Sequence, residues 1–317
     1  MEDIKKVNCN DVLSKLEDEL IAVLDSLHLR LKTPAPPQTL YHYTNDTGLH
    51  GILESGRLRL SNIFSLNDPS EIRHGLFHAA ETLNNETSTG TPEVKEFAKK
   101  FASFCQNGVG NSAYFFVCSF SKNINDLGQW RAYADNGQGY ALEFEANLIA
   151  DGFASLDGGS NNRRNNTFPI IYKDIDIVDI YRQFIALCLP HISRKCQGLS
   201  SKIYLSNLGA LLSIYVLEVA LYFKHESYAN EYEFRFLETI TRNEDPLVKW
   251  RAKSSELVAF RDFSWRDIQP SVLKRIIIGP AADRYKAKAF VKACLTAYHP
   301  KSQGEVEIDY CNIPYRA

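Results

Sequence analysis

Between residues 39 and 309 the chain carries short β-rich segments separated by helical stretches of very unequal length. That irregularity limits the fold more than any other feature, because a doubly wound parallel sheet needs a regular alternation of strand and crossover helix. The strands read as Thr39–Tyr43, Arg57–Leu60, Ala113–Phe120, Tyr140–Phe144, Ile170–Tyr172, Glu231–Thr239, Val272–Ile278 and Glu305–Asp309. Apolar periodicity predicts helices over 46–55, closed by Gly56, and then over 70–84, 92–106, 125–134 and 282–297. Two more fall within about 177–224. Turns are expected at Leu66–Ser70 and Asn136–Gly139, and polar loops at 84–91 and 151–167. The pattern predicts an α+β domain with a mixed sheet, flanking helices and a helical insertion.

Ahead of this region, Leu13, Leu16, Leu20, Leu24, Leu27 and Leu31 follow one another in steps of three and four. They share one face of a helix over 10–31, with Lys15, Glu17, Asp18 and Glu19 opposite. Thr33–Gln38, with three prolines, ends that helix and stiffens the connection. Residues 1–36 therefore read as an amphipathic helix and linker, and residues 37–317 as the main domain. The stripe must be covered, either by the main domain or by a second copy of the chain in a homodimer.

The 36 Lys and Arg nearly balance the 38 Asp and Glu, which speaks against purely electrostatic binding of nucleic acid, although local basic spots exist at Arg163–Arg164, Arg251 with Lys253, and Lys274–Arg275. No apolar run approaches the roughly 20 residues of a membrane span, so no membrane partner is expected. The N-terminus lacks the layout of a secretory signal. Seven cysteines, an odd number without a C-x-x-C pair, suit a reducing compartment, and a cytoplasmic location is expected. His74 and His78 share a helical face with Glu71, but no further His or carboxylate stands at a recognisable ligand spacing, so no metal site is assigned.

No P-loop, H-E-x-x-H or nucleophile elbow is present, and Gly137-Gln-Gly139 opens a strand rather than a helix. Two Glu-x-Glu pairs stand out, Glu143-Phe-Glu145 and Glu231-Tyr-Glu233. In a strand, residues two apart share a face, so each pair sets two carboxylates side by side. The first reads as structural. In the second, Glu231, Glu233 and Arg235 alternate with Tyr232, Phe234 and Phe236, which suits either an acid–base pair or a solvent-facing strand.

Tyr41-His42-Tyr43-Thr44, followed by Leu49, Ile52, Leu53, Gly56 and Leu58, resembles the opening strand and helix of histidine-class ADP-ribosyltransferases, and Glu231-Tyr-Glu233 resembles their Glu-x-Glu element. More closely, the chain resembles a bacterial family of unknown function (domain of unknown function 2971). That likeness runs through His42-Tyr43-Thr44, Asn67-Asp68-Pro69-x-Glu71, Cys118-x-Phe120-Ser121, Trp130-x-x-Tyr133-Ala134, Gly139, Glu231-x-Glu233-x-Arg235, Ile276–Gly279 and Pro314-Tyr315-Arg316.

The resemblance implies a split ADP-ribosyltransferase-like sheet and NAD as co-substrate. It implies Glu233 as the catalytic carboxylate that stabilises the ribosyl cation, with Glu231 orienting or deprotonating the acceptor. NAD would be held by His42, Tyr43 and Thr44, by Ser119 and Ser121, and by Arg235. Tyr133 would stack on nicotinamide, with Trp130 in reserve. The acceptor would be a nucleic acid or a protein, as for a bacterial toxin or an anti-phage effector. Two other classes fit the same residues: a non-catalytic nucleotide-sensing or protein-interaction module, and an NAD glycohydrolase or other carboxylate-pair hydrolase.

Overall fold

The computed structural model describes residues 9–32, 37–65, 70–107, 114–157, 163–192, 201–240, 248–253 and 255–315. The Pro-rich stretch 33–36, the turn at 66–69 and Arg316 lie outside the described residues, as do the side chains of Glu71, Arg163 and Lys253.

The leucine stripe forms α1 (Cys9–Lys32), followed by β1 (Thr39–Thr44), α2 (Asp46–Ser55) and β2 (Arg57–Asn62). Asn45 caps α2 by accepting from the Gly48 amide, and Gly56 ends it at φ 66°, a left-handed conformation that glycine adopts without a Cβ penalty. Next come α3 (Ser70–Thr87), α4 (Pro92–Asn107), β3 (Tyr114–Ser121), α5 (Leu127–Tyr133), β4 (Tyr140–Glu145), α6 (Ala146–Ala154) and β5 (Arg163–Pro169). The insertion is α7 (Asp174–Ile192) and α8 (Ser201–Ala220), and β6 (Glu233–Ile240) returns to the sheet. A hairpin of β7 (Lys249–Lys253) and β8 (Glu256–Ser264), then β9 (Leu273–Ile278), α9 (Arg284–Tyr298) and β10 (Glu307–Tyr310), complete the chain.

The strands join in the order β10-β9-β4-β1-β3-β2-β8-β7, with β6 paired to β3 and β5 to β6. The β9–β10 pair is parallel and the other strand pairs are antiparallel, so the sheet is mixed. One face packs on α1, α3, α4, α7 and α8 through Phe115, Val117 and Leu237, and the other on α2, α6 and α9 through Phe116, Phe120 and Phe236. Leu16, Leu20, Leu24 and Leu27 of α1 are buried in the first of these cores, against α7 and α8. These four leucines of the stripe are thus covered within the chain, with Leu13 partly buried beside them and the Leu31 side chain outside the described residues.

Four stretches depart from the sequence reading. The stretch 151–167, expected as a loop, is regular structure where it is described: α6 extends to Ala154, a 3-10 turn covers Ser155–Asp157, 158–162 lie outside the described residues, and β5 occupies 163–169. Its Arg and Asn residues have little strand preference, but β5 pairs along the length of β6, and Arg164 and Asn166 both bond the buried Glu218. Tertiary partners override local preference here. Residues 170–172 form no strand of their own: the Ile170 amide donates to the Glu233 carbonyl of β6, and Ile171 makes an isolated bridge to Phe223. The β7–β8 hairpin has no counterpart in the sequence reading, because its alternating charges (Lys249, Arg251) resemble a loop. Finally, α8 contains a stretch, Ile203–Ala220, long and apolar enough by length and composition to cross a membrane. In this fold more than half of it is buried, through Tyr204, Leu208, Leu212 and Val216 among others.

Leu20 of α1 has no solvent exposure and Leu29 is 71% exposed. Leu20→Ala should destabilise the protein by about 2–5 kcal/mol in urea unfolding, and Leu29→Ala by less than about 0.5 kcal/mol. Equal effects would show that α1 is not docked as described.

Candidate active site at a fork in the sheet

Strand β3 has one edge occupied by β6 and an opposite edge that two strands share. On that second edge, Tyr41 of β1 pairs with Ser121, while Ser61 and Asn62 of β2 pair with Val117 and Phe116. Between these contacts β1 and β2 splay apart around residues 118–120. The β3 side chains change character at the same point: Phe115 and Val117 face the helical insertion, and Ser119 and Ser121 continue that face as polar residues. The opening is a cleft of about 300 Å³, lined among others by His42, Tyr43, Arg59, Ser119, Tyr133, Lys224, Glu231, Glu233 and Arg235.

Strand alternation directs His42 towards Phe120, with ring centroids 5.5 Å apart, and directs Glu233 to the opposite side with Ser119. The two nevertheless line one cleft, because the sheet is open between the prongs. Ser119 joins them. Its carbonyl lies 3.1 Å from His42 Nδ1, and its hydroxyl donates to Glu233 Oε1 at 2.6 Å. Two hydrogen bonds and the span of one serine limit the separation of imidazole and carboxylate to roughly 10 Å.

Because the Ser119 carbonyl can only accept, Nδ1 of His42 carries a hydrogen and Nε2 is left as an acceptor. Burial lowers the His42 pKa, against the opposing pull of the Ser119 carbonyl, so the ring is held neutral. Cys118 Sγ lies 3.9 Å from Nδ1, but burial pushes this thiol up to about 12, which rules it out as a thiolate nucleophile near neutral pH.

Glu233 is 5% exposed. Its Oε1 accepts from Ser119, from Arg235 Nε at 2.8 Å and from a terminal Arg235 nitrogen at 2.7 Å, while Oε2 lies 3.4 Å from Lys224 Nζ. Burial works to raise its pKa, but Arg235, Lys224 and the hydrogen bonds outweigh it and hold the carboxyl below its usual range. Arg235 is fixed in turn by donating to the Leu221 carbonyl at 2.9 Å. Lys224 also donates to Glu231 Oε2 at 2.6 Å and sits 4.7 Å from the Tyr228 ring centre. Leu221 and Lys224 lie just past the end of α8, so the helical insertion supplies one wall of the carboxylate site.

Several expected positions need correction. Glu231 and Glu233 do not share a strand: Glu231 ends a short 3-10 turn, Tyr232 adopts a left-handed conformation (φ 46°, ψ 43°), and β6 begins at Glu233. The two carboxylates still meet, through Lys224. Trp130 is fully buried, edge-on to Tyr43, and donates to the Ile124 carbonyl, so it cannot stack on a ligand. Tyr133, 51% exposed, is the aromatic of α5 that lines the cleft. Thr44 is buried outside the lining, with its carbonyl packed against Gly139, where a Cβ would lie 2.2 Å away. Ser121 donates to the Glu231 carbonyl and Arg235 holds Glu233, so both support the site from within the protein.

The first Glu-x-Glu pair is structural, with Glu143 and Glu145 bonded to Arg275 and Lys274 of β9. His74 packs edge-on against His78 and His225, yet among the described residues no group of His, Cys, Asp and Glu is arranged to hold a metal ion. The sequence reading did not identify Lys224 or Arg59 as site residues. A lysine that is 4% exposed carries no local signature, because its partners come from the far side of a turn.

Residues 129–236 match the model of a family described as a protein of unknown function, DUF2971. The matched stretch contains Tyr133, the helical insertion, Lys224, Glu231, Glu233 and Arg235, and supports the family named by the resemblance. It stops short of β1 and β2, and it carries no activity. No curated protein and no solved structure matches the chain.

Glu233→Gln would leave Arg235 and Lys224 buried beside a neutral group, at a cost of about 3–5 kcal/mol at pH 7. Because the folded carboxyl titrates below the unfolded one, its contribution is complete above the unfolded pKa of about 4.3 and is lost as the pH falls through the folded value. The stability gap between wild type and Glu233→Gln, measured by denaturant unfolding, should therefore narrow below pH 4.3. A gap that is constant with pH would contradict the charge assignment.

Proposed function

We propose that this chain is an NAD-consuming ADP-ribosyltransferase working at the fork between β1 and β2. The observation that carries the reading is that His42, Tyr133 and Glu233 line one cleft, with Glu233 kept ionised inside it. Oxygen Oε1 is saturated by Ser119 and Arg235, so Oε2, with its single long contact to Lys224, is the oxygen with capacity for a ligand. It would accept a hydrogen bond from the nicotinamide ribose. Neutral His42 would offer Nε2 to a sugar hydroxyl of the adenosine half, and Tyr133 would stack on the flat nicotinamide.

The glycosidic C–N bond of NAD breaks with its electron pair leaving on nicotinamide, and positive charge develops on the ribose. A fixed carboxylate at that point lowers the barrier, because it meets the cation without having to reorganise. The nucleophile of the acceptor then attacks the anomeric carbon. Its proton would go to Glu231, which lines the same cleft. A nucleic-acid or protein side group can serve as nucleophile, and water in the same place gives NAD hydrolysis.

Purified protein given NAD labelled in the nicotinamide ring, together with a bacterial extract as acceptor mixture, should release nicotinamide. Glu233→Gln should lower the rate by about 10²–10³. Because that variant is also destabilised, Tyr133→Ala provides a second test: it alters an exposed ring, and it should raise KM while the melting temperature stays unchanged. No nicotinamide from folded wild type, or wild-type kinetics in both variants, would overturn the assignment.

A further inference from the structure

Among the described residues, the formal charges in the cleft compensate one another, with one exception. Glu231 and Glu233 are matched by Lys224 and Arg235, and His42 is held neutral. Arg59, on the prong opposite His42, is exposed and lines the same cleft. Its guanidinium lies 4.5 Å from the ring centre of Phe260, and among the described residues no carboxylate pairs with it. Asp262, its register partner on β8, is bonded to Lys249 at 2.8 Å. The alternation of β2, with Leu58 and Leu60 buried and Arg57, Arg59 and Ser61 on the other face, aims Arg59 at the opening. Continuing the count that pairs Ser61 with Val117 and Asn62 with Phe116 brings Arg59 level with Ser119, at the base of the fork.

We infer that Arg59 is the anchor of an anion subsite that takes the pyrophosphate of a dinucleotide. This inference rests on the proposed use of the cleft by NAD and adds the residue that would hold its charged middle. A cleft of about 300 Å³ is at the small end for ligand pockets, so it encloses one nucleoside-sized half while the remainder crosses the rim. A guanidinium held over an aromatic ring keeps its hydrogen-bond donors, which can grip phosphate oxygens in bidentate fashion.

Isothermal titration of the full chain with ADP-ribose, inorganic pyrophosphate and uncharged adenosine tests this. Arg59→Gln should weaken ADP-ribose and pyrophosphate by about ten- to a hundredfold and leave adenosine unchanged, as expected for loss of a charge-assisted bidentate contact. Arg59→Lys should recover part of the loss. Arg57→Gln, an exposed arginine two residues away and outside the cleft, should match wild type. The inference is overturned if wild type binds neither phosphate probe, if Arg59→Gln binds ADP-ribose as wild type does, or if adenosine is weakened equally. Arg59-dependent phosphate binding without nicotinamide release would sink only the transferase reading. Nicotinamide release unaffected by Arg59→Gln would sink only the subsite.

Discussion

A strand edge presents one row of N–H and C=O groups, and two strands cannot pair with the same stretch of it. In this protein β1 and β2 reach the same edge of β3 from opposite ends, and they part around Ser119. The site follows from that competition. The Ser119 carbonyl, at the opening, takes the His42 imidazole as its partner, as a backbone acceptor there requires one. The Ser119 hydroxyl turns to the other side and holds Glu233. A single residue thereby sets the spacing of a neutral imidazole and an ionised carboxylate.

The fork persists because its surroundings are rigid. Tyr43 and Trp130 meet edge to face at 5.0 Å beneath one prong, and Phe120 packs on Phe144 and Phe236 beneath β3. On the helical side, two cations and two carboxylates share a nearly dry space. Such charges are costly to desolvate and are tolerated only as a hydrogen-bonded set. Tyr232 takes a left-handed conformation, at a cost of about 1–2 kcal/mol, and this turn brings Glu231 back to the lysine that also meets Glu233. The end of α8 contributes both Lys224 and the carbonyl that fixes Arg235, so the helical insertion is part of the site's construction.

Much of the fold was legible in the sequence. The α1 stripe, the Gly56 stop, β1, β3, β4, β9 and the paired helices of the insertion all follow from apolar periodicity and turn chemistry, because each is set by its own residues. β5 and the β7–β8 hairpin were not legible. Arg164 and Asn166 are in a strand because Glu218 and β6 hold them there, and no local preference records that. The site divides along the same line. His42, Glu231 and Glu233 stand in short motifs. The neutrality of His42, the burial of Trp130, and the parts played by Lys224 and Arg59 depend on contacts between distant stretches of chain.

A crystal structure of the protein with ADP-ribose would test the use of the fork most directly. The distal ribose should lie against Glu233 Oε2, the pyrophosphate on Arg59, and the adenosine half within reach of His42 Nε2. A ligand bound outside the fork, or one inside it that touches neither Glu233 nor Arg59, would contradict this placement.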